Sequence, residues 1–412
     1  MRIRIAATLA VLACLATATA ASARLSWNAA AWARAPITTF DGIPANTTLT
    51  AKNAEFIENF PQHSDSSGAR LVGHYFYITT ERDLTIYDTS APEAPKQVGY
   101  LQFPATDLQG YYYPQEDPDT NGKILLTTNE GAVEVIDVSD KANPKFLSKL
   151  AGKKQHTISC LLDCTWAYGS CGSLSCKTGE IIDLRDPEHP KSDGDWVTEV
   201  NKQLPAAEQP NSNHDVTEVS PGMVLTSSTP MLLLDAREDP AHPKVLAEGG
   251  HKGDPFVHAN LWPHQMTDDK ILVGGESEGP SCDSDAAASF KVFDAANWQT
   301  TGRFDLLHEF KLPYGQLVDG SMPNSTWCVH WFTPHPTYHN GGLIAISWYE
   351  QGTRFLQVGP DGTVTQVGWL LPAGATASGA YWITDRIVYV ADYNRGLDVI
   401  RYTGPITGGD AS

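Results

Sequence analysis

The chain has 412 residues, 41% hydrophobic and 19% charged, with a formal net charge of −19 at pH 7. That apolar content supports a packed core and argues against intrinsic disorder. An anionic chain without a basic stripe has nothing to displace counterions from phosphate, so nucleic acid is not an expected partner.

Residues 1–23 read as a secretory signal peptide: Arg2 and Arg4, an apolar run over 5–15, and Ala21-Ser22-Ala23 as a small-x-small cleavage site. The expected location is secreted, extracellular; the alternative is a lipoprotein anchored through Cys14 in Val11-Leu12-Ala13-Cys14. No later segment approaches membrane-spanning length. Residues 24–49, with Trp27, Trp32 and Pro36 and no strand alternation, are expected to form an extended arm on the domain surface. A lone strand is expected at 55–60.

From there the chain repeats one motif. Ile86-Tyr87-Asp88-Thr89-Ser90, ending in Pro95-Lys96, returns as Val135-Ile136-Asp137-Val138-Ser139 with Pro144-Lys145. It returns again as Ile181-Ile182-Asp183-Leu184-Arg185 with Pro190-Lys191, and as Leu233-Leu234-Asp235-Ala236-Arg237 with Pro243-Lys244. Degenerate copies stand at Val292-Phe293-Asp294, Arg354-Phe355-Leu356-Gln357-Val358 and Leu397-Asp398-Val399-Ile400-Arg401. Spacings of roughly 45 to 60 residues match propeller blades, not leucine-rich or ankyrin units. The runs between copies carry strand-and-turn grammar rather than helical periodicity. Glu130-Gly131, Gly352 and Gly396 recur before the strand that closes each motif and predict hairpin turns with a positive-φ glycine.

The motif resembles the LVIVD-repeat β-propellers. The expected fold is all-β, a seven-bladed β-propeller over residues 50–404 with a short tail at 405–412. The last repeat stops at Tyr402 without an outer strand, and the lone strand at 55–60 is expected to supply it, closing the ring and removing an exposed edge.

In an oxidising compartment Cys160, Cys164, Cys171, Cys176, Cys282 and Cys328 form an even set of six, which predicts three disulfides among 15 possible pairings. Local pairs 160–164 and 171–176 with a long-range 282–328 pair leave none over. The alternative is zinc held by Cys-x3-Cys and Cys-x4-Cys.

The innermost strand of each blade lines the central channel, so residues at blade starts converge on the axis. His156, His214, His258 and His330 occupy that position in successive blades, and His63 stands at a similar offset before the first; Gln109 and Ser378 take it elsewhere. Several imidazoles on one axis suit a transition metal ion, copper by preference, with zinc or iron possible. The architecture is similar to the all-histidine iron centre of carotenoid oxygenases and the histidine-dependent site of the selenium-binding protein group, without their sequence motifs. The plainer reading is histidines that hydrogen-bond backbone and water around a narrow channel. Asp215 and Glu218 are the candidate catalytic proton carriers, and Asp163 a weaker one better explained as a solvated turn residue. His264 and His335 are expected in loops rimming the channel mouth, and His189 and His242 at the surface. Trp166, Trp262, Trp327, Trp331, Trp348, Trp382 and Tyr111 to Tyr113 offer pocket walls or, more simply, packing between blades.

The expected function is a metal-dependent oxidoreductase or lyase acting on a small-molecule substrate at the channel mouth. The alternative is a non-catalytic extracellular binding or adhesion scaffold with a protein or glycan partner on its loop face.

Overall fold

The repeated Asp is a turn maker. Asp88 Oδ1 accepts the Ser90 amide at 2.8 Å, and Asp137, Asp183, Asp235 and Asp294 accept the amides of Ser139, Arg185, Arg237 and Ala296 in the same way. Each carboxylate thus closes a strand with a local turn that mimics a backbone turn, and in the first four the chain returns through a Pro-Lys segment. Gly131, Gly352 and Gly396 have φ of 93°, 70° and 90°, as their turn positions require.

The computed structural model describes residues 39–40, 42–104, 116–129, 131–153, 155–172, 177–250, 257–275, 289–312 and 328–407. β1 (Thr39–Phe40) and β2 (Ile43–Pro44) form a short hairpin, followed by β3 (Thr48–Lys52) and β4 (Ala54–Phe60). Antiparallel sets of four come next. The first is β5 (Ser66–Val72), β6 (Tyr75–Thr80), β7 (Asp83–Asp88) and β8 (Lys96–Gln102). It is followed by β9 (Asp119–Thr120), β10 (Ile124–Asn129), β11 (Ala132–Asp137) and β12 (Lys145–Ala151), then β13 (Thr157–Leu161), β14 (Trp166–Ser170), β15 (Glu180–Asp183) and β16 (Lys191–Asp195). β17 (Asn213–Ser220), β18 (Met223–Ser228), β19 (Met231–Asp235) and β20 (Lys244–Gly249) make one half of an eight-stranded sheet. β21 (Val257–Leu261), β22 (Lys270–Gly275), β23 (Ser289–Asp294) and β24 (Arg303–Phe310) make the other, joined by parallel pairing of β20 with β24. β25 (Phe332–Pro334), β26 (Gly342–Ser347), β27 (Thr353–Val358) and β28 (Val364–Pro372) take β3 as a fifth strand. β29 (Ala377–Trp382), β30 (Ile387–Asp392) and β31 (Gly396–Tyr402) take β4 as their fourth.

Each set packs on the next through a dry core. Tyr77, Ile86, Leu125 and Ile136 join the first two, and Leu126, Val135, Ile158 and Ile182 carry the contact on to β13–β16. Similar layers follow: Tyr168 with Leu234, Leu233 with Ile271, Leu272 with Ile344, Phe355 with Val388. Finally Tyr389 and Val399 pack on Ile78 and Tyr87 of the first set. The series closes on itself, which is the architecture of a β-propeller.

Pairing of β4 with β31 runs from Leu397↔Phe60 to Tyr402↔Ala54, so the strand expected at 55–60 does complete the last set. Thr48–Lys52, which straddle the expected boundary between the arm and the propeller at residue 50, form one strand on the edge of β28. The longest helix among the described residues, α1 (Trp196–Asn201), was not expected from periodicity. Asp195 caps it through the Thr198 amide at 2.7 Å, and it buries Trp196, Val197 and Val200. Cys160 and Cys164 are disulfide-bonded across the turn between β13 and β14, so they are not zinc ligands here. Cys171 and Cys328 are also disulfide-bonded. Cys176 and Cys282 lie outside the described residues. So do the 1–23 signal segment with Cys14, and the part of the expected arm before Thr39. No helix among the described residues is long and apolar enough to cross a membrane.

Candidate metal centre

The first strand of each set starts at the centre of the ring, so whatever precedes it or opens it faces the residues opposite. Position explains the gathering of side chains there. His156 directly precedes β13, His214 and His258 are second in β17 and β21, and His330 stands two residues before β25. Glu116, three residues before β9, takes the same place in its own set.

The four imidazoles meet at the Glu116 carboxylate. His258 Nε2 lies 3.1 Å and His330 Nε2 3.0 Å from Oε1, with His214 Nε2 at 3.8 Å. His156 Nε2 contacts Oε2 and lies 3.1 Å from His214 Nε2. Glu116, His214, His258 and His330 are all buried. Glu116 with His258 and His330, and Glu116 with His156 and His214, each place their ligand atoms close enough to share one ion. His330 is oriented from behind: its Nδ1 donates to the Ser378 carbonyl at 2.6 Å. Tyr349 and Tyr393 flank the same ring, and Trp331 lies 4.9 Å from His258.

Electrostatics follow from burial. Removal from water would raise the Glu116 carboxyl, but His156 and His214 beside it hold it well below the usual carboxylate range. Burial lowers His214 to about 3 and holds His258 well below the usual histidine range. Burial thus favours the neutral ring in both, the form in which imidazole ligates metals.

Trp331 also walls a polar cleft of about 120 Å³, where Arg70, Asp117, Asp119, Asp215 and Glu218 gather with Ser159 and Asn260. Burial raises Asp215 to about 7 and pushes Asp117 well above the usual carboxylate range, with Asp215 adding to the latter. Arg70 Nε pairs with Asp119 at 3.0 Å. Glu218 Oε1 accepts the amides of Leu162 and Gly222, both at 2.7 Å, which makes it a brace for two turns as much as a wall of the cleft.

Other candidates are placed elsewhere. His63 is not brought into the cluster: it ends a short turn ahead of β5, and its Nε2 lies 2.6 Å from Tyr87 Oη. His335 directly follows β25, where its Nε2 lies 3.0 Å from the Asp385 carbonyl and its ring packs on Trp382. His189 and His242 pair with Asp186 and Asp239 at the surface, and Asp163 is exposed beside Lys123. Trp166, Trp262, Trp348 and Trp382 pack between sheets, as the plainer reading had it. Gln109, Tyr111 to Tyr113 and Trp327 lie outside the described residues. Sequence reasoning missed Glu116; the signal available was an acid just ahead of a first strand, where the other sets carry histidine.

Fold and cluster together define a β-propeller with a histidine and carboxylate donor set where its inner strands converge. Residues 65–101 match the LVIVD repeat family, so the repeat read from the sequence is present. No curated protein sequence matches the chain. Among solved structures it is similar to Kuenenia stuttgartiensis hydrazine synthase, at 13% identity and a TM-score of 0.53, covering 80% of this chain and 92% of that one. It is also similar to the WD40 domain of Neurospora crassa Pan2, at 12% identity and a TM-score of 0.52, covering 87% and 98%. At such identities the likeness shows the propeller fold alone.

Proposed function

We propose that this protein is a secreted, seven-bladed propeller whose histidine cluster holds a transition metal ion and uses it on a small molecule, in oxidoreductase or lyase chemistry. The observation that carries the reading is the meeting of four Nε2 atoms, from four sets of strands, at one buried carboxylate. His330 sharpens it. A carbonyl oxygen only accepts, so Nδ1 carries the proton given to Ser378, and a neutral ring then points a lone pair at Glu116 Oε1 3.0 Å away. Something positive belongs between them, either a second proton or an ion shared by the whole cluster. Imidazole donors suit copper, zinc and iron, and copper is the preferred ion.

His156, His214, His258 and His330 would be the ligands, with Glu116 as a further one; His63 is not in the set. A bound ion would supply Lewis acidity or one-electron chemistry. Asp215, in the cleft behind Trp331, is placed to hold a proton for a reacting group, while Glu218 positions the cleft wall. Blade number rests on the seven motif copies and on β4 completing the last set. Secretion rests on the signal-like segment and the disulfides.

The test is metal content and EPR of protein secreted into copper-replete medium. Stoichiometric metal is expected, with one equivalent fewer in His258→Ala than in wild type at unchanged circular dichroism. Wild-type protein without stoichiometric metal retires the proposal. The Glu116 carboxylate itself favours one other reading: it satisfies the imidazoles as a structural knot, leaving a non-catalytic binding or adhesion propeller for a protein or glycan. That reading expects no metal, and partner binding that survives alanine at all four histidines.

A further inference from the structure

We propose a second, separate metal site at the surface, in which His264, Asp268 and His339 take a divalent transition-metal ion of the Zn²⁺ type and clamp two neighbouring inter-strand connections together. His264 and Asp268 lie between β21 and β22, and His339 lies between β25 and β26. His264 follows the far end of β21 from His258, so the two centres share no ligand.

Local backbone builds the site. His264, Gln265 and Met266 are left-handed, with φ of 52°, 53° and 67°, and this turn folds the His264 ring back over Asp268. Non-glycine residues adopt that region at a cost, so the surrounding contacts hold it there. On the other connection Asn340, at φ 50°, donates its amide to Asp268 Oδ2 at 3.0 Å and accepts the Asp269 amide at 2.6 Å. Trp262 Nε1 donates to the Asp268 carbonyl at 2.7 Å.

The Asp268 carboxylate is thereby fixed and fully buried, and it presents Oδ1 to both rings. His264 Nδ1 lies 3.0 Å away and His339 Nδ1 2.8 Å. Two nitrogens on one oxygen are more than a single aspartate–histidine hydrogen bond requires. A tetrahedral ion with legs of about 2.0–2.1 Å needs neighbouring donors about 3.3 Å apart, a few tenths of an ångström wider than the present spacing. One ion can replace the two ring protons with little movement. Two imidazoles and a carboxylate suit zinc rather than calcium or magnesium, which prefer all-oxygen shells. The two imidazoles are about half exposed, with side-chain exposures of 44% and 54%, which leaves a fourth position for water. The Asn340 amide that braces this carboxylate is the outer support such ligands usually have.

Calorimetric titration with Zn²⁺ of chelator-treated, full-length protein tests this, using His258→Ala and the triple variant H258A/H264A/H339A, so that the central cluster is impaired in both. A stoichiometric site surviving in His258→Ala is expected, with Kd rising about a hundredfold in the triple variant. Zn²⁺ should also raise the melting temperature of His258→Ala and not that of the triple variant. Circular dichroism confirms folding, and H258A/H339Q, which retains a hydrogen-bonding side chain at 339, should lose the ion as well. No saturable Zn²⁺ uptake by His258→Ala, or uptake unchanged in H258A/H264A/H339A, overturns the proposal whatever the central cluster holds.

Discussion

Two glycines make room for the central donors. A Cβ on Gly68 would collide with the Glu116 carbonyl, and one on Gly172, at φ +63°, with the His156 ring. Gly68→Ala should therefore displace Glu116 and cost the protein its central metal while circular dichroism still reports a propeller; retention of metal would show that Glu116 does not matter to the site. The imidazoles were legible in the sequence because one residue type recurs at the head of successive sets. Glu116 was not, because a lone carboxylate reads as solvated surface and the segment before β9 breaks the spacing, which drew attention to Gln109. Asp392 carries a different expectation. Burial, with Asp398 adding to it, lifts its carboxyl to about 7 although three backbone amides point at it. An unfolded Asp releases its proton near pH 3.9, so between about pH 4 and 7 the folded state binds more protons, and stability falls as pH rises. Asp392→Asn does not titrate. Its stability relative to wild type should climb across that window, by about 4 kcal/mol at most, in urea unfolding at the two ends; a flat difference would mean Asp392 is ionised throughout.

At the scale of strands and turns, the motif Asp and its turn glycines are why the sheet pattern could be read directly: each is a local instruction, satisfied within two or three residues. What escaped was the product of distant packing. β3 joins β28 because an open edge lay beside it, and α1 forms because Trp196 has an apolar layer to enter. The hairpin between β30 and β31 is held by Arg395, which is buried, grips both Asp398 oxygens at 2.6 and 2.9 Å, and donates to the carbonyls of Ala45 and Ala373 at 2.7 Å. Removing the guanidinium strands a buried carboxylate, so Arg395→Ala should destabilise the fold by about 3–5 kcal/mol. Urea denaturation measures it, and a loss under about 1 kcal/mol would show that water or Asn59 compensates.

Across the whole molecule, sheets that share a core with both neighbours have no weak end, and the donors at the centre come from strand sets that meet only once the circle is complete. The donor cluster at the centre is therefore assembled by several sets together and not by any one of them. The surface His264 triad lies on the connections that follow β21 and β25, two strands that also line the cleft beside Trp331.

Asn59 and Arg395, 336 positions apart, hydrogen-bond across the seam between β4 and β31. A strand from near the start of the ring's sequence is thus kept waiting for the last of the described strands. A polypeptide cut short anywhere before residue 396 lacks β31 and leaves β4 with an unpaired, aggregation-prone edge.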